Sequence, residues 1–239
     1  GHRRTHKADK KDMPRNLLFN KMISIISETQ PKLFLFENVR GLLSSRWSKD
    51  GNKGEVFKDI LNAFGDIDIC LFSSVTYEPK DEQNIDPDKI KNVINVNFLG
   101  VIDCVKVVED YFKNKKSGHI SIVSSIAGYR GLPNSSGYGP SKAALTIFSE
   151  SIYFDFKKFG VRVSVVSPGF IKTPLTDKNE FPMPFLKTPE YAAEKIYNGL
   201  VKGNAFEIHF PKGLTLTLKF LRILPYRLYL FLVDKLVKR

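Results

Sequence analysis

Tyr138 and Lys142 stand four residues apart in "SGYGPSKAAL" (136–145), a spacing that puts both side chains on one face of a helix. A phenol can deliver a proton to a carbonyl oxygen whose carbon receives hydride, but its ordinary pKa of about 10 is high for exchange at neutral pH. An ammonium on the same helical face favours the phenolate and lowers that pKa, so the pair reads as an acid/base unit. Spacing alone does not select it, because Tyr111/Lys115, Tyr153/Lys157 and Tyr191/Lys195 repeat it. Context does. Ligands of open parallel sheets bind beyond the carboxyl ends of the strands. Ser125 ends the run "HISIVSS" (119–125), and "SPGFIKT" (167–173) begins where "VRVSVVS" (161–167) stops. Ser125 can donate a hydrogen bond to a substrate oxygen. The other three tyrosines lack such a serine upstream and read as packing or surface residues.

The elements that position these residues follow from hydrophobic periodicity. From residue 67, apolar β-rich runs alternate with amphipathic stretches: "IDICLFSS" (67–74), a helix near 88–114, strand 119–125 and a helix near 136–158. Strand 161–167, a helix near 189–202 and "FEIHF" (206–210) follow. This alternation implies βαβ units, right-handed crossovers and a doubly wound parallel sheet covered on both faces. The first 66 residues differ in texture: a basic head, a helical "NLLFNKMISIISE" (16–28), a strand "KLFLFE" (32–37), a polar loop and a helix near 54–64.

With 239 residues, 42% of them hydrophobic and 26% charged, the chain can bury a sizeable core. The net charge of +12 is concentrated at the ends, where residues 1–66 carry 13 Lys/Arg against 8 Asp/Glu and residues 204–239 carry 7 against 2. Such ends suit nucleic acid or anionic lipid, or simply a solvated basic surface. Cys70 and Cys104 lie in apolar patterns without a CxxC pair and read as buried, reduced thiols of a cytoplasmic protein. His2, His6, His119 and His209 are too scattered for a metal site, so no metal is expected. The chain opens on Gly1, with no signal peptide, which suggests a fragment whose upstream piece is missing.

Residues 66 to about 211 resemble the C-terminal two thirds of a short-chain dehydrogenase/reductase. The resemblance rests on "NVNFLG" with Asn97, "IVSSIAG" with Ser125, "YGPSKAAL" with Tyr138 and Lys142, and "SPGFIKTPL". It implies a Rossmann-like fold and hydride transfer between NAD or NADP and an alcohol or carbonyl substrate. Asn97, Ser125, Tyr138 and Lys142 take the catalytic roles. Asn97 is similar to the family's helix-kinking asparagine, which holds a water linking the lysine to solvent. Pro168, Gly169, Ile171 and Thr173 would face the nicotinamide. One part of the pattern is missing from this sequence, the strand–TGxxxGxG–helix turn that cradles the cofactor pyrophosphate. The glycines before residue 97 are Gly1, Gly41, Gly51, Gly54 and Gly65, and the family's NNAG position holds Phe72, Ser73, Ser74 and Val75. The sheet is therefore expected to be incomplete in its N-terminal half.

Residues 1 to about 64 resemble a different family, the DNA cytosine-5 methyltransferases. The carrying segments are "PRNLLF" (14–19) and "PKLFLFENVRGLL" (31–43), where Glu37-Asn38-Val39 matches the ENV motif. The resemblance gives Glu37 contact with a flipped-out cytosine. The family's Pro-Cys nucleophile is not in this sequence, so no covalent adduct can form. The expected organisation is a methyltransferase-like fragment (1–65), a dehydrogenase catalytic part (66–211) and a basic amphipathic tail (212–239), joined near Gly65. Strand 32–37 is expected beside strand 67–74, in place of the missing first strand.

The tail, "LTLTLKFLRILPYRLYLFLVDKLVKR" (214–239), is too interrupted by cations and Pro225 to span a membrane. It suits an interfacial anchor on an anionic membrane or a helix packed on its own domain or a partner subunit. An apolar alcohol or carbonyl substrate is the expected partner, with a homo-oligomer as a further one and nucleic acid not expected. Two other readings stay open: a methyltransferase remnant that binds DNA without catalysis, and a non-catalytic α/β module.

Overall fold

A computed structural model describes residues 34–36, 57–58, 61–62, 65–80 and 84–237. Among these residues five strands form one parallel sheet: β1 (Phe34–Phe36), β2 (Ile69–Phe72), β3 (His119–Val123), β4 (Arg162–Pro168) and β5 (Glu207–Phe210), in spatial order β1-β2-β3-β4-β5. β3 is buried along nearly its whole length, as strands between two helical layers must be.

The expectation for strand 32–37 is met. β1 pairs in parallel with β2, Phe34 opposite Cys70 and Phe36 opposite Phe72. Residues 57–58 and 61–62 between them are helical. Phe57 packs with Cys70 and Phe72 in the core. The Gly65 amide donates to the Leu61 carbonyl, where this helix hands over to β2. Helix 16–28 and Glu37 lie outside the described residues.

The long helix expected near 88–114 is two helices with a π turn between them: α1 (Pro87–Ile94), the turn Asn95–Leu99, and α2 (Gly100–Lys115). Asp86 caps α1 through its carboxylate, which accepts from the Asp88 and Lys89 amides, and Pro87 follows at the first helical position. α3 (Tyr138–Lys157) and α4 (Pro189–Tyr197) complete the sheet's cover. α5 (Lys212–Ile223) and α6 (Tyr226–Val237) make up the tail, broken at Leu224–Pro225.

The two faces of the sheet are covered by different helices. α2 and α3 pack over Cys70, Phe72, Ile120, Ile122 and Val163. α4 packs on the opposite face, over Leu71, Val166, Ile208 and Phe210. The strands nevertheless advance across the sheet in one direction. The β4-to-β5 connection therefore has the opposite hand to the β3-to-β4 connection, which corrects the expectation of uniformly right-handed crossovers. The 20 residues between β4 and α4 run along the carboxyl edge of the sheet. They reach back past the end of β3, where Lys178 Nζ lies 2.8 Å from the Glu78 carboxylate in the segment after β2. This route brings the loop to the strand ends that carry the candidate site.

Cys70 and Cys104 are buried thiols, neither in a disulfide. Burial pushes the Cys104 thiol up to about 12 and raises that of Cys70 as well. Neither is a nucleophile at neutral pH. Among the described residues no group of His, Cys, Asp and Glu is arranged to hold a metal ion.

Candidate active site

The site grows from the end of β3. Ser125, in extended backbone, caps a single 3-10 turn (Ile126–Gly128), its Oγ accepting from the Ala127 amide at 3.2 Å. That turn lies directly on α3. A Cβ built at Gly128 would come within 2.8 Å of the Lys142 carbonyl carbon and the Ala143 amide, so only glycine permits this approach. Ser124 fastens the same junction, its hydroxyl donating to the Lys142 carbonyl at 2.7 Å. Lys142 returns a bond from its side chain, Nζ donating to the Val123 carbonyl at 2.9 Å.

In all four Tyr/Lys pairs the ammonium lies over the phenol ring. The distances to the ring centroid are 5.8 Å for Lys142 on Tyr138, 5.9 Å for Lys115 on Tyr111, 5.6 Å for Lys157 on Tyr153 and 5.2 Å for Lys195 on Tyr191. Helical spacing produces this geometry wherever it occurs. Burial separates the pairs: Lys142 is 2% exposed, whereas Lys115 and Lys195 are partly exposed and Lys157 is exposed. Tyr111, Tyr153 and Tyr191 are packing residues as expected, set edge-on against Phe57, Phe206 and Phe210 respectively.

Burial also overturns one electrostatic expectation. The Tyr138 phenol is raised rather than lowered, because desolvation outweighs the hydrogen bond from Ser125, which favours the phenolate. Lys142 is pushed down to about 7 by the same desolvation. Its ammonium is directed to the Val123 carbonyl and not to the phenol oxygen, so it sits near the midpoint of its titration at neutral pH.

Asn97 lies within the π turn, fully buried. Its Oδ1 accepts from the Thr76 amide at 2.6 Å, and its Nδ2 donates to the Thr76 carbonyl at 3.0 Å and to Ser141 Oγ at 3.1 Å. Ser141 Oγ in turn donates to the Tyr138 carbonyl at 2.7 Å. Asn97 thus ties the segment after β2 to the first turn of α3. The π turn, a form concentrated at functional sites, gives the helix the extra residue that brings Asn97 there.

Pro168, Gly169, Ile171 and Thr173 line the next strand end, beside that of β3. Gly169 has a packing reason of its own, since a Cβ there would lie 3.0 Å from both Leu214 and Pro211. Its amide donates to the Phe210 carbonyl at 2.7 Å. Ile171 joins the second hydrophobic cluster and bridges to Lys187. Thr173 closes a local turn, with Oγ1 3.2 Å from Thr176 Oγ1 and its carbonyl accepting from the Thr176 and Asp177 amides.

Several supporting residues escaped the sequence reading. Ser124 and Gly128 stood inside a recognised motif but had no separate signal for their contacts. Ser141 lies one turn from Tyr138, and its bond to Asn97 joins elements 44 residues apart. Tyr77, whose ring centroid is 4.8 Å from that of Tyr138, belongs to an irregular segment with no periodicity to mark it.

The donor set fits the reactive end of a nicotinamide nucleotide. In its charged form Lys142 has one carbonyl acceptor, which leaves two N–H donors for the hydroxyls of a bound molecule. This sequence holds no glycine pattern of the kind that lets a backbone turn close on the pyrophosphate.

Two family models match the chain. Residues 47–182 match the family described as short chain dehydrogenase, and residues 5–76 match C-5 cytosine-specific DNA methylase. The chain belongs to the short-chain dehydrogenase family. The two matches overlap over residues 47–76, around the expected join. An "uncharacterized oxidoreductase" of Myxococcus xanthus is 34% identical over 165 residues, covering 69% of this chain and 65% of that protein. "Carbonyl reductase family member 4" of Xenopus tropicalis is 32% identical, covering 56% of this chain and 57% of that protein. The chain thus spans less than two thirds of the length of these relatives. The solved structure "ElxO with NADP Bound" is 26% identical with a TM-score of 0.56, covering 68% of this chain and 73% of that one. A short chain dehydrogenase from Burkholderia cenocepacia, also in complex with NADP, shares the fold at 22% identity and a TM-score of 0.58, covering 69% of each chain.

Proposed function

We propose that the chain carries the catalytic half of an alcohol/carbonyl oxidoreductase that uses NAD or NADP and acts on a small apolar substrate. The observation that carries the proposal is the burial of Lys142 beneath Tyr138, with Ser125 hydrogen-bonded to the phenol. A nicotinamide, when bound, would supply or accept hydride, and Pro168, Gly169, Ile171 and Thr173 would hold it. With substrate bound, the single Ser125 hydroxyl proton turns from the phenol to the substrate oxygen, and Tyr138 gives that oxygen its proton in reduction or removes it in oxidation. Lys142 in its charged form stabilises the phenolate left behind. A water on Asn97 returns the proton from solvent through Lys142. Tyr77 beside Tyr138, and the exposed Phe181, Phe185 and Leu186 of the loop after β4, favour an apolar substrate.

Titration of NADH and NADPH against the purified chain, followed by turnover of apolar ketones, tests the proposal. Tyr138→Phe should keep nucleotide binding and lose about 10²–10⁴ in turnover, the usual contribution of a positioned acid. Failure to bind either nucleotide would refute the reading for this chain.

A further inference from the structure

Residues 212–237 fold into two helices that leave several large apolar side chains exposed. α5 turns Leu214 and Thr215 inward. Leu216, Phe220 and Ile223 point outward at positions i, i+4 and i+7, and are 56%, 60% and 76% exposed. α6 buries Tyr229 and Val233 and leaves Tyr226, Leu230 and Phe231 exposed. The surface continues onto the loop after β4, because the ring of Phe185, itself 56% exposed, would lie 3.3 Å from a Cβ at Gly213. Soluble surfaces rarely gather this many large apolar side chains.

The outward orientation is held from behind. Arg130 Nη1 donates to the carbonyls of Leu221, Arg222 and Leu224 at 2.8, 3.0 and 2.8 Å, at the corner between the helices. Its guanidinium also lies 4.0 Å from the Tyr229 ring centroid, and the Tyr229 hydroxyl donates to the Gly131 carbonyl at 2.6 Å. Lys219 pairs with Glu207 of β5. The cations Lys212, Arg222, Arg227 and Lys235 flank the apolar residues, and Asp234 is the one acid between residues 212 and 237.

We infer that α5, α6 and the Phe185 loop form a docking face for an anionic lipid bilayer, with both helices lying in the headgroup plane. No helix among the described residues is long and apolar enough to cross a membrane. Cations beside aliphatic and aromatic side chains match anionic headgroups above acyl chains. A second copy of the chain matches less well, because two such faces would oppose cation to cation. Docking is measured without turnover, so it stands or falls separately from the catalytic reading.

The test is co-sedimentation of the full chain with phosphatidylcholine vesicles, with and without phosphatidylglycerol. Two double variants accompany it, Phe220→Ser/Ile223→Ser and Arg222→Gln/Arg227→Gln, both at exposed side chains and both checked by circular dichroism. The wild-type chain should bind the anionic vesicles. The charge variant should bind them about 25-fold more weakly, because each cation near such a surface is worth roughly fivefold in partitioning. The apolar variant should bind at least tenfold more weakly on the same vesicles. Salt raised to about 1 M should weaken binding of the wild type, since the screening length falls to about 3 Å. No binding to anionic vesicles, equal binding by wild type and variants, or a lipid-free dimer that the apolar variant dissolves would overturn the inference.

Discussion

Lys142→Met isolates the energetic cost of the buried ammonium. Methionine keeps much of the length and apolar stem while removing the charge. The fall of Lys142 from 10.5 to about 7 amounts to about 4–5 kcal/mol against the charged form in the folded chain, by burial alone. Removing the side-chain donor also leaves the Val123 carbonyl unpaired, a loss of about 1–2 kcal/mol. At pH 7 the variant should therefore be about 3 kcal/mol more stable than wild type, while losing turnover. The sign with pH follows from proton binding. Between about pH 7 and pH 10 the unfolded chain carries the Lys142 proton and the folded chain does not, so wild-type stability gains about 1.4 kcal/mol per pH unit from this group. The variant lacks that gain. Urea unfolding of both proteins at pH 7, 8 and 9 should show the stability gap closing as pH rises, with groups common to both cancelling in the difference. A gap independent of pH, or a variant less stable than wild type at pH 7, would refute the reasoning.

Two further substitutions probe the scaffold. Gly128→Ala forces a Cβ against the backbone of Lys142 and Ala143, so a loss of about 1–3 kcal/mol in chemical unfolding is expected. Turnover should fall with it, because Ser125 and Tyr138 move apart. Asn97→Ala leaves the Thr76 amide and carbonyl and the Ser141 hydroxyl without this partner, and should cost about 2–3 kcal/mol. Thermal unfolding monitored by circular dichroism reads this loss.

Much of the architecture was legible because its signals are local. Apolar runs of five to seven residues with β-branched character are strands, and amphipathic stretches between them are helices, so β2 through β5 and α3 fall close to their expected positions. The candidate site residues Ser125, Tyr138 and Lys142 were read from the resemblance of their motifs and from their places beside element ends. The π turn at Asn95–Leu99 was not, because it changes hydrogen bonding by one residue without changing composition. The hand of the β4-to-β5 connection was not either, since it depends on which face of the sheet α4 finds apolar. Ser141 and Tyr77 matter through partners distant in the chain.

The sequence by itself determined the order of the elements, which rests on periodicity, and through the resemblance of its motifs the dehydrogenase family and the candidate catalytic residues. It also placed strand 32–37 beside β2. Only the tertiary structure decided which of four equivalent Tyr/Lys pairs is buried, in what direction each group titrates, and which face of the tail looks outward. Helical spacing brings every such lysine over its tyrosine. Desolvation, which sets the pKa of Lys142 and distinguishes its pair from the others, depends on the β3 end, the Gly128 turn and α3 packing together.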